Sequence, residues 1–242
     1  MQKPARLSQQ HLIVFTRYPE PHRAKTRMIP LLGAEGAANL QRQMTEHTLS
    51  TVKKLQVLEK ISVEIRFTGG NLQLMQAWLG ETLLGEKLDQ KLDNNLIYQP
   101  QGEGDLGTRM ARSLSDSFCL GAKKTIIIGT DCPAIDPQLL QTAFAYLDNS
   151  DLVLGPALDG GYYLIGLRDS IPDIFSQLFQ NIDWGTSQVF PQTVGIAQKL
   201  KLSITYLRSL ADIDRPEDLE IWNAQRMASE SKDRGKPRHG EE

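Results

Sequence analysis

The chain has 242 residues, 40% hydrophobic and 23% charged, with 27 basic against 29 acidic side chains and a net charge of -2. That length accommodates one large domain or a core with a small addition. The near-neutral balance supplies no global field for a polyanionic nucleic acid, and no run approaches the roughly 18 apolar residues that span a bilayer. The opening MQKPARLSQQ leads into LIVFT with neither the apolar stretch nor the small-residue cleavage site of a signal peptide. A cytoplasmic protein acting on small molecules is expected, without nucleic-acid or membrane partners, as monomer or homodimer. Cys119 and Cys132 make no disulfide framework, and with four scattered histidines they spell no zinc site.

Taken in chain order, residues 1–10 read as a flexible lead. LIVFT at 12–16 is a continuous apolar strand suited to burial on both faces. A helix follows over about 33–56, with Leu40, Met44, Thr48 and Val52 at helical spacing and Gln41, Arg42 and Glu46 on the other positions. VEIRF at 63–67 alternates like a less buried strand, a short helix is predicted near 73–78, and LIY at 96–98 is a weak strand. Met110, Leu114 and Phe118 then stripe a helix beginning near 106. TIIIG at 125–129 is the clearest central strand, since three β-branched residues in succession demand extended backbone and cover on both faces. Asp136 ahead of Pro137 predicts a capped helix start. DLVLG at 151–155 and YYLIGL at 162–167 lie too close for a crossover helix, which leaves an antiparallel pair or an irregular excursion. A helix over 187–199, a strand at 204–207 and a helix from Pro216 complete the domain, 11–228, and the charged segment 229–242 reads as a disordered tail. Strands alternating with helices predict an α/β fold with a largely parallel sheet.

Ligands of open α/β sheets gather beyond the carboxyl ends of strands. The loop after the first strand, RYPEPHRAKTRM, carries Arg17, Arg23, Lys25 and Arg27 against Glu20 alone, a set suited to phosphate oxygens or to a merely solvated loop. Asp131 in GTDCPAID emerges from the IIIG strand, where it either takes a divalent cation or caps the turn over Pro133. Cys132 beside it reads as a small buried hydrophobe. LGPALDGGYYLIG adds Asp159, with Gly160 and Gly161 free to bring backbone close to a ligand. In ADIDRPEDL, Asp212 and Asp214 share a face of extended chain, although Asp214 could instead cap the last helix. GEGDLG at 102–107 satisfies the dinucleotide pattern G-x-G-x-x-G. Its Glu103 and Asp105 would press negative charge toward a pyrophosphate, so it reads better as a glycine-rich loop over a substrate, with Asp105, Thr108 and Arg109 as polar candidates.

Five successive blocks, FTRYPEPHRAKTRM, GDLGTRM, IIIGTDCPAID, VLGPALDGGYYLIGL and DIDRPEDL, together resemble a bacterial family of GT-A-like glycosyltransferases. That family, often described as arsenosugar biosynthesis glycosyltransferases, lies in the nucleotide-diphospho-sugar transferase superfamily. The resemblance implies a Rossmann-like three-layer α/β/α domain with a mixed, mostly parallel sheet, and a nucleotide site over its first half. Its pattern F-x-K-x-P-x-P-G-x-x-K-T-R-L matches Phe15, Pro19, Pro21, Lys25, Thr26 and Arg27, with Arg17 for the usual lysine and His22 for the usual glycine. GTDCP resembles the GDxP signature of related nucleotidyltransferases, which implies a metal role for Asp131. The closing D-x-D-x-P-E-D-L pattern maps to Asp212 and Asp214.

The expected activity is Mg²⁺- or Mn²⁺-dependent glycosyl transfer from a nucleotide-diphospho-sugar to a small hydroxylated acceptor. Arg17, Lys25 and Arg27 would hold the diphosphate, Asp131 with Asp212 or Asp214 the cation, and Asp159 would serve the acceptor. One alternative is nucleotidyl transfer from an NTP to a phosphorylated small molecule. The other is a catalytically silent nucleotide-binding module.

Overall fold

The computed structural model describes residues 7–84, 96–169 and 174–234. Its strands are β1 (Gln10–Arg17), β2 (Ile61–Thr68), β3 (Leu96–Pro100), β4 (Lys124–Ile128), β5 (Leu152–Pro156), β6 (Tyr162–Arg168) and β7 (Ile204–Tyr206). The helices are α1 (Ile29–Leu58), α2 (Leu72–Leu84), α3 (Leu106–Cys119), α4 (Pro137–Tyr146), α5 (Ile174–Leu178), α6 (Val189–Lys199) and α7 (Leu219–Arg234). The seven strands form one sheet in the order β3-β2-β1-β4-β6-β5-β7. Pairing is parallel throughout except along β6, which runs against both β4 and β5. The close pair of apolar segments is therefore an antiparallel hairpin.

Alternation along the strands builds the three layers. Leu12, Val14, Ile126 and Ile128 face one side, where Val52 of α1, Leu79 of α2 and Phe144 of α4 cover them. Ile13, Phe15 and Ile127 face the other, against Leu114 of α3, Leu178 of α5 and Val189 of α6. Each fully buried aliphatic side chain contributes about 1.5–3 kcal/mol, and the isoleucine run of β4 supplies such groups to both faces at mid-sheet. A third cluster packs Ile213 and Trp222 onto Met28, Leu40 and Met44, which clamps the C-terminal segment against α1. The result is a mixed, mostly parallel α/β sheet flanked by helices, a Rossmann-like three-layer arrangement of GT-A type.

Several boundaries differ from expectation. Leu7 is buried and its N–H donates to the Leu120 carbonyl at 3.2 Å, so the fold takes in part of the segment read as a flexible lead. α1 begins at Ile29, and Gly33 (φ 70°, ψ 170°) breaks its first turn from the rest. The last helix opens with a 3-10 turn at Pro216–Asp218, and α7 continues to Arg234, six residues into the expected tail. Helix propensity carries α7 onward from its buried Trp222. Residues 235–242 and 1–6 lie outside the described residues. The five residues of α5 are too few to display a 3.6-residue period, and no helix is expected there from the sequence. Among the described residues no helix is long and apolar enough to cross a membrane.

β2, expected to be less buried, carries a charged network between sheet and α3. His11 Nδ1 meets Ser62 Oγ at 2.9 Å and its Nε2 meets Glu64 Oε2 at 3.1 Å. Arg66 Nε donates to Glu64 Oε1 at 2.6 Å, and Nη2 donates to Asp116 Oδ2 at 2.7 Å. Burial pushes the Glu64 carboxyl up, but the His11 hydrogen bond and the Arg66 charge overcome it and hold the group below its ordinary value. Its stabilising contribution is thus present above the ordinary carboxylate pKa and lost as pH falls through the depressed one. Arg66→Met strands Glu64 in the core and should cost about 3 kcal/mol or more at pH 7. In urea unfolding, the gap from wild type should narrow as pH falls and the stranded carboxylate takes a proton. A gap that does not change with pH would show that Glu64 is not the charge at issue.

Candidate active site

β2 and β4 flank β1 on opposite sides, so the order of connection reverses at β1, and the loops leaving β1 and β4 open a crevice at their carboxyl ends. Both loops carry the polar residues singled out in the sequence. Lys25 Nζ donates to Asp131 Oδ1 at 2.8 Å and also to the Ile213 carbonyl; its side chain is 4% exposed while that of Asp131 is 51% exposed. The Ile213 N–H in turn donates to the Asp131 carbonyl at 2.9 Å. The Arg27 guanidinium pairs with Asp214, and Arg17 Nη1 donates to the Arg23 carbonyl at 3.3 Å. Asp214 therefore does not cap the last helix. Asp218 organises that turn instead, accepting from the N–H groups of Asp214 at 3.0 Å and Arg215 at 2.7 Å.

Arg17, Arg23, Lys25 and Arg27 line a cleft of about 710 Å³ against two carboxylates, Asp131 and Asp214, so the cleft is cationic. Its floor is a buried polar shelf. Gln41 Nε2 donates to Thr130 Oγ1 at 3.3 Å and to Thr45 Oγ1 at 3.2 Å, and Thr45 and Thr16 share a hydroxyl hydrogen bond at 2.9 Å. Gln101 Nε2 donates to the carbonyls of Thr16 at 3.2 Å and Arg66 at 3.1 Å, tying the ends of β1 and β2 to the loop after β3. Sequence reasoning missed this shelf and placed Gln41 on the polar side of its helix. The signal was present in Gln41, Thr45 and Thr48, three polar residues at helical spacing on the buried stripe.

A second chamber of about 260 Å³ adjoins the cleft and shares Asp131, Gly129, Leu106 and two tyrosines with it. It also holds Asp159, Gly161, Asp212 and Trp184, and none of its lining residues is Lys, Arg or His. Asp212 and Asp214, either side of the buried Ile213, thus serve different compartments. Burial, then the negative charges of Asp159, Asp131 and Asp214, raise the Asp212 carboxyl above its ordinary value. Burial above all, reinforced by Asp131 and Asp212, pushes the Cys132 thiol far up, which leaves it an inert wall group. Asp159 Oδ1 accepts the Gly161 N–H at 2.8 Å. Gly160 (φ 92°) packs so tightly that an added Cβ would meet the Ser187 backbone at 2.5 Å, seating the hairpin on the loop before α6.

The GEGDLG glycines have packing reasons. A Cβ on Gly102 would strike Arg112, one on Gly104 the Thr108 side chain, and one on Gly107 the Trp184 ring at 2.7 Å. Asp105 Oδ1 accepts the Thr108 N–H at 2.8 Å, so a carboxylate already caps the α3 N-terminus where a dinucleotide pyrophosphate would sit. Arg109 Nε donates to the Gly104 carbonyl at 2.9 Å. Asp105, Thr108 and Arg109, expected to touch substrate, make these loop contacts and are not among the residues lining either compartment. The reason is local: a helix start with an exposed Asp satisfies its own N–H groups first. Trp184, which lines the chamber, carries no sequence signal of its own.

Among the described residues no group of three or more His, Cys, Asp or Glu stands ready to hold a metal ion. The trio Asp131, Asp212 and Asp214 is divided, with Asp131 turned to Lys25 and Asp214 to Arg27.

The fold shows structural homology to the broad superfamily of nucleotidyltransferases and nucleotide-diphospho-sugar transferases, whose members share this GT-A-like architecture. The chain is similar to a provisionally named nucleotide-diphospho-sugar transferase of Desulfovibrio desulfuricans G20, with 29% identity, a TM-score of 0.73, and coverage of 86% of this chain and 84% of that one. It shares its fold with a nucleotidyl transferase of Methanothermobacter thermautotroptrophicus, at 14% identity, TM-score 0.59, and coverage of 90% and 98%. The inositol-1-phosphate CTP transferase of T. maritima is likewise similar in fold, at 14% identity, TM-score 0.56, and coverage of 91% and 96%. The chain belongs to the family described as "Uncharacterized protein conserved in bacteria (DUF2064)", whose profile matches residues 51–186. No curated protein matches it.

His22 occupies the position of the pattern's glycine at φ 64°, left-handed backbone that β-branched residues resist most. In chemical unfolding, His22→Gly should therefore stabilise the fold and His22→Ile destabilise it, each by about 0.5–1 kcal/mol. Any other order would mean that the loop relaxes freely. The raised Asp212 carboxyl favours the fold only while protonated, and that contribution is lost as pH rises through its elevated pKa. Asp212→Asn should accordingly raise the Tm at pH 7, with the gain closing at about pH 3–4 near the ordinary carboxylate range, as read by calorimetry across pH.

Proposed function

We propose that the protein transfers a glycosyl group from a nucleotide-diphospho-sugar to a small hydroxylated acceptor, with a divalent cation. The observation that carries this reading is the division of charge across Asp131: a cationic cleft on one side, a carboxylate-lined chamber on the other. The likeness to the Desulfovibrio protein supports it.

In this reading Arg17, Lys25 and Arg27 exchange their present partners for diphosphate oxygens, which frees Asp131 and Asp214. Asp131 and Asp212 are the residues that would hold the cation. One or two carboxylates completed by phosphate oxygens and water suit Mg²⁺, and the carboxylate repulsion that adds to burial in raising Asp212 is what a cation relieves. When bound, the cation offsets the charge that grows on the departing diphosphate. Asp159 keeps one oxygen on the Gly161 N–H and has the second to accept the proton of the acceptor hydroxyl. As that hydroxyl oxygen bonds to the anomeric carbon, the bond from carbon to diphosphate breaks and the nucleoside diphosphate leaves.

Incubation with Mg²⁺ and panels of nucleotide sugars and NTPs, followed by mass spectrometry, separates the readings. Nucleoside diphosphate with a glycosylated product supports glycosyl transfer, pyrophosphate release supports nucleotidyl transfer, and retention without product supports a silent binding module. Asp131→Asn should leave the fold intact, abolish the Mg²⁺-dependent part of nucleotide affinity in calorimetric titration, and lower turnover about 100-fold or more. Equal metal dependence in both proteins would remove Asp131 from the cation site.

A further inference from the structure

The smaller chamber selects its ligand by charge. We infer that it is the acceptor pocket, and that it takes an uncharged or amine-bearing hydroxylated molecule of roughly monosaccharide size and rejects phosphorylated ones. The word acceptor rests on the transfer reading above; the charge selection does not.

The chamber is a built space. Gly107 packs against Trp184 and Phe179 so closely that a Cβ would lie 2.7 Å and 2.9 Å from them, which sets the Trp184 ring against the first turn of α3. The loop carrying Trp184 is held in turn by Gln192, whose Oε1 accepts the Asp183 N–H at 2.8 Å and whose Nε2 donates to Asp183 Oδ2 at 2.7 Å. Gly160 seats the opposite hairpin on Ser187, so the aromatic wall and the Asp159 turn are fixed relative to one another. A volume of about 260 Å³ corresponds to about nine waters at ~30 Å³ each. That suits a compact polyol or sugar laid on an aromatic face.

The lining then decides the class. Asp131, Asp159 and Asp212 contribute three carboxylates and no lining residue is basic. Lys25 offsets Asp131 from the cleft side. Were a dication shared by Asp131 and Asp212, Asp159 would still bear on the ligand. A phosphate monoester, carrying about two negative charges, finds no guanidinium or ammonium there, whereas hydroxyl groups find acceptors and an ammonium finds a carboxylate. Phosphate recognition is confined to the cleft, where Arg17, Arg23 and Arg27 lie.

The test uses two matched sets: glucose, glucosamine and glucose 6-phosphate; and glycerol, serinol and glycerol 3-phosphate. Binding to the full chain is followed by saturation-transfer NMR and by tryptophan fluorescence, with and without Mg²⁺. Within at least one set, the amine should bind at least as tightly as the neutral compound and about tenfold or more tighter than the phosphate. Asp159→Asn, which keeps an acceptor for Gly161, should shrink the amine's advantage. Trp184→Phe should abolish the fluorescence response, leaving Trp78 and Trp222 silent. A phosphate ester binding as tightly as its neutral partner, no binding in either set, or a fluorescence response that survives Trp184→Phe would each overturn the inference. Loss of the glycosyl-transfer reading would show separately, as the absence of nucleoside diphosphate and glycosylated product on incubation with nucleotide sugars.

Discussion

The ammonium group of Lys25 joins three stretches of chain that are remote in sequence: its own loop after β1, the turn after β4 through Asp131, and the segment before α7 through the Ile213 carbonyl. Being almost fully buried, it has no water to fall back on, so its partners hold it and it holds them. Lys25 also sits in left-handed backbone at φ 46°, as His22 does at φ 64°, an arrangement that costs about 1 kcal/mol or more per residue. A loop with two such residues keeps its shape through the packing of Met28 and Ala24 and the Lys25 hydrogen bond to the Ile213 carbonyl as well as through the ion pair.

That anchoring matters because of where the sheet sends its loops. β6 runs against its neighbours, so the β5–β6 hairpin turns at the same end of the sheet as the loops after β1 and β4. The chain beyond β7 continues the alignment, with Ala157 and Leu210 forming a parallel bridge and Leu158 N–H donating to the Leu210 carbonyl at 3.0 Å. Basic residues come from the first of these loops, and the acidic ones from the other three. Separation of charge into two compartments is thus a consequence of topology: the first loop brings the basic residues of the cleft, the other three bring the carboxylates, Asp214 on the cleft side among them, and the loops meet at Asp131.

Much of this was legible in the residues because the signals were local. The isoleucine run of β4, the Asp136 cap with its Leu139 N–H at 2.7 Å, and the charged loops at strand ends each depend on a few consecutive side chains. The spatial proximity of Lys25 and Asp131 follows from two buried strands being neighbours. What stayed hidden depends on contacts between distant segments. Gln41 looks like a surface residue until Thr130 is beside it, and Glu64 and Arg66 look like the wet face of a strand until Asp116 and His11 close over them. Asp214 reads equally as a cap or a ligand, and only Arg27, 187 positions away, decides that it pairs with neither a helix end nor its neighbour Asp212. The candidate loop at 102–107 misleads because glycine spacing records close approach without saying to what.

Asp131 belongs to both compartments, and this has a consequence for how effects on the site combine. Lys25 reaches it from the cleft, and Asp212 is influenced by it from the chamber. Residues with no shared partner contribute independently, whereas residues joined through a common one do not. Substitutions in the cleft and in the chamber will therefore fail to sum while Asp131 is present, and will become separable once it is neutral. The two halves of the site communicate through one carboxylate, and changes accumulating on either side constrain which changes the other side tolerates.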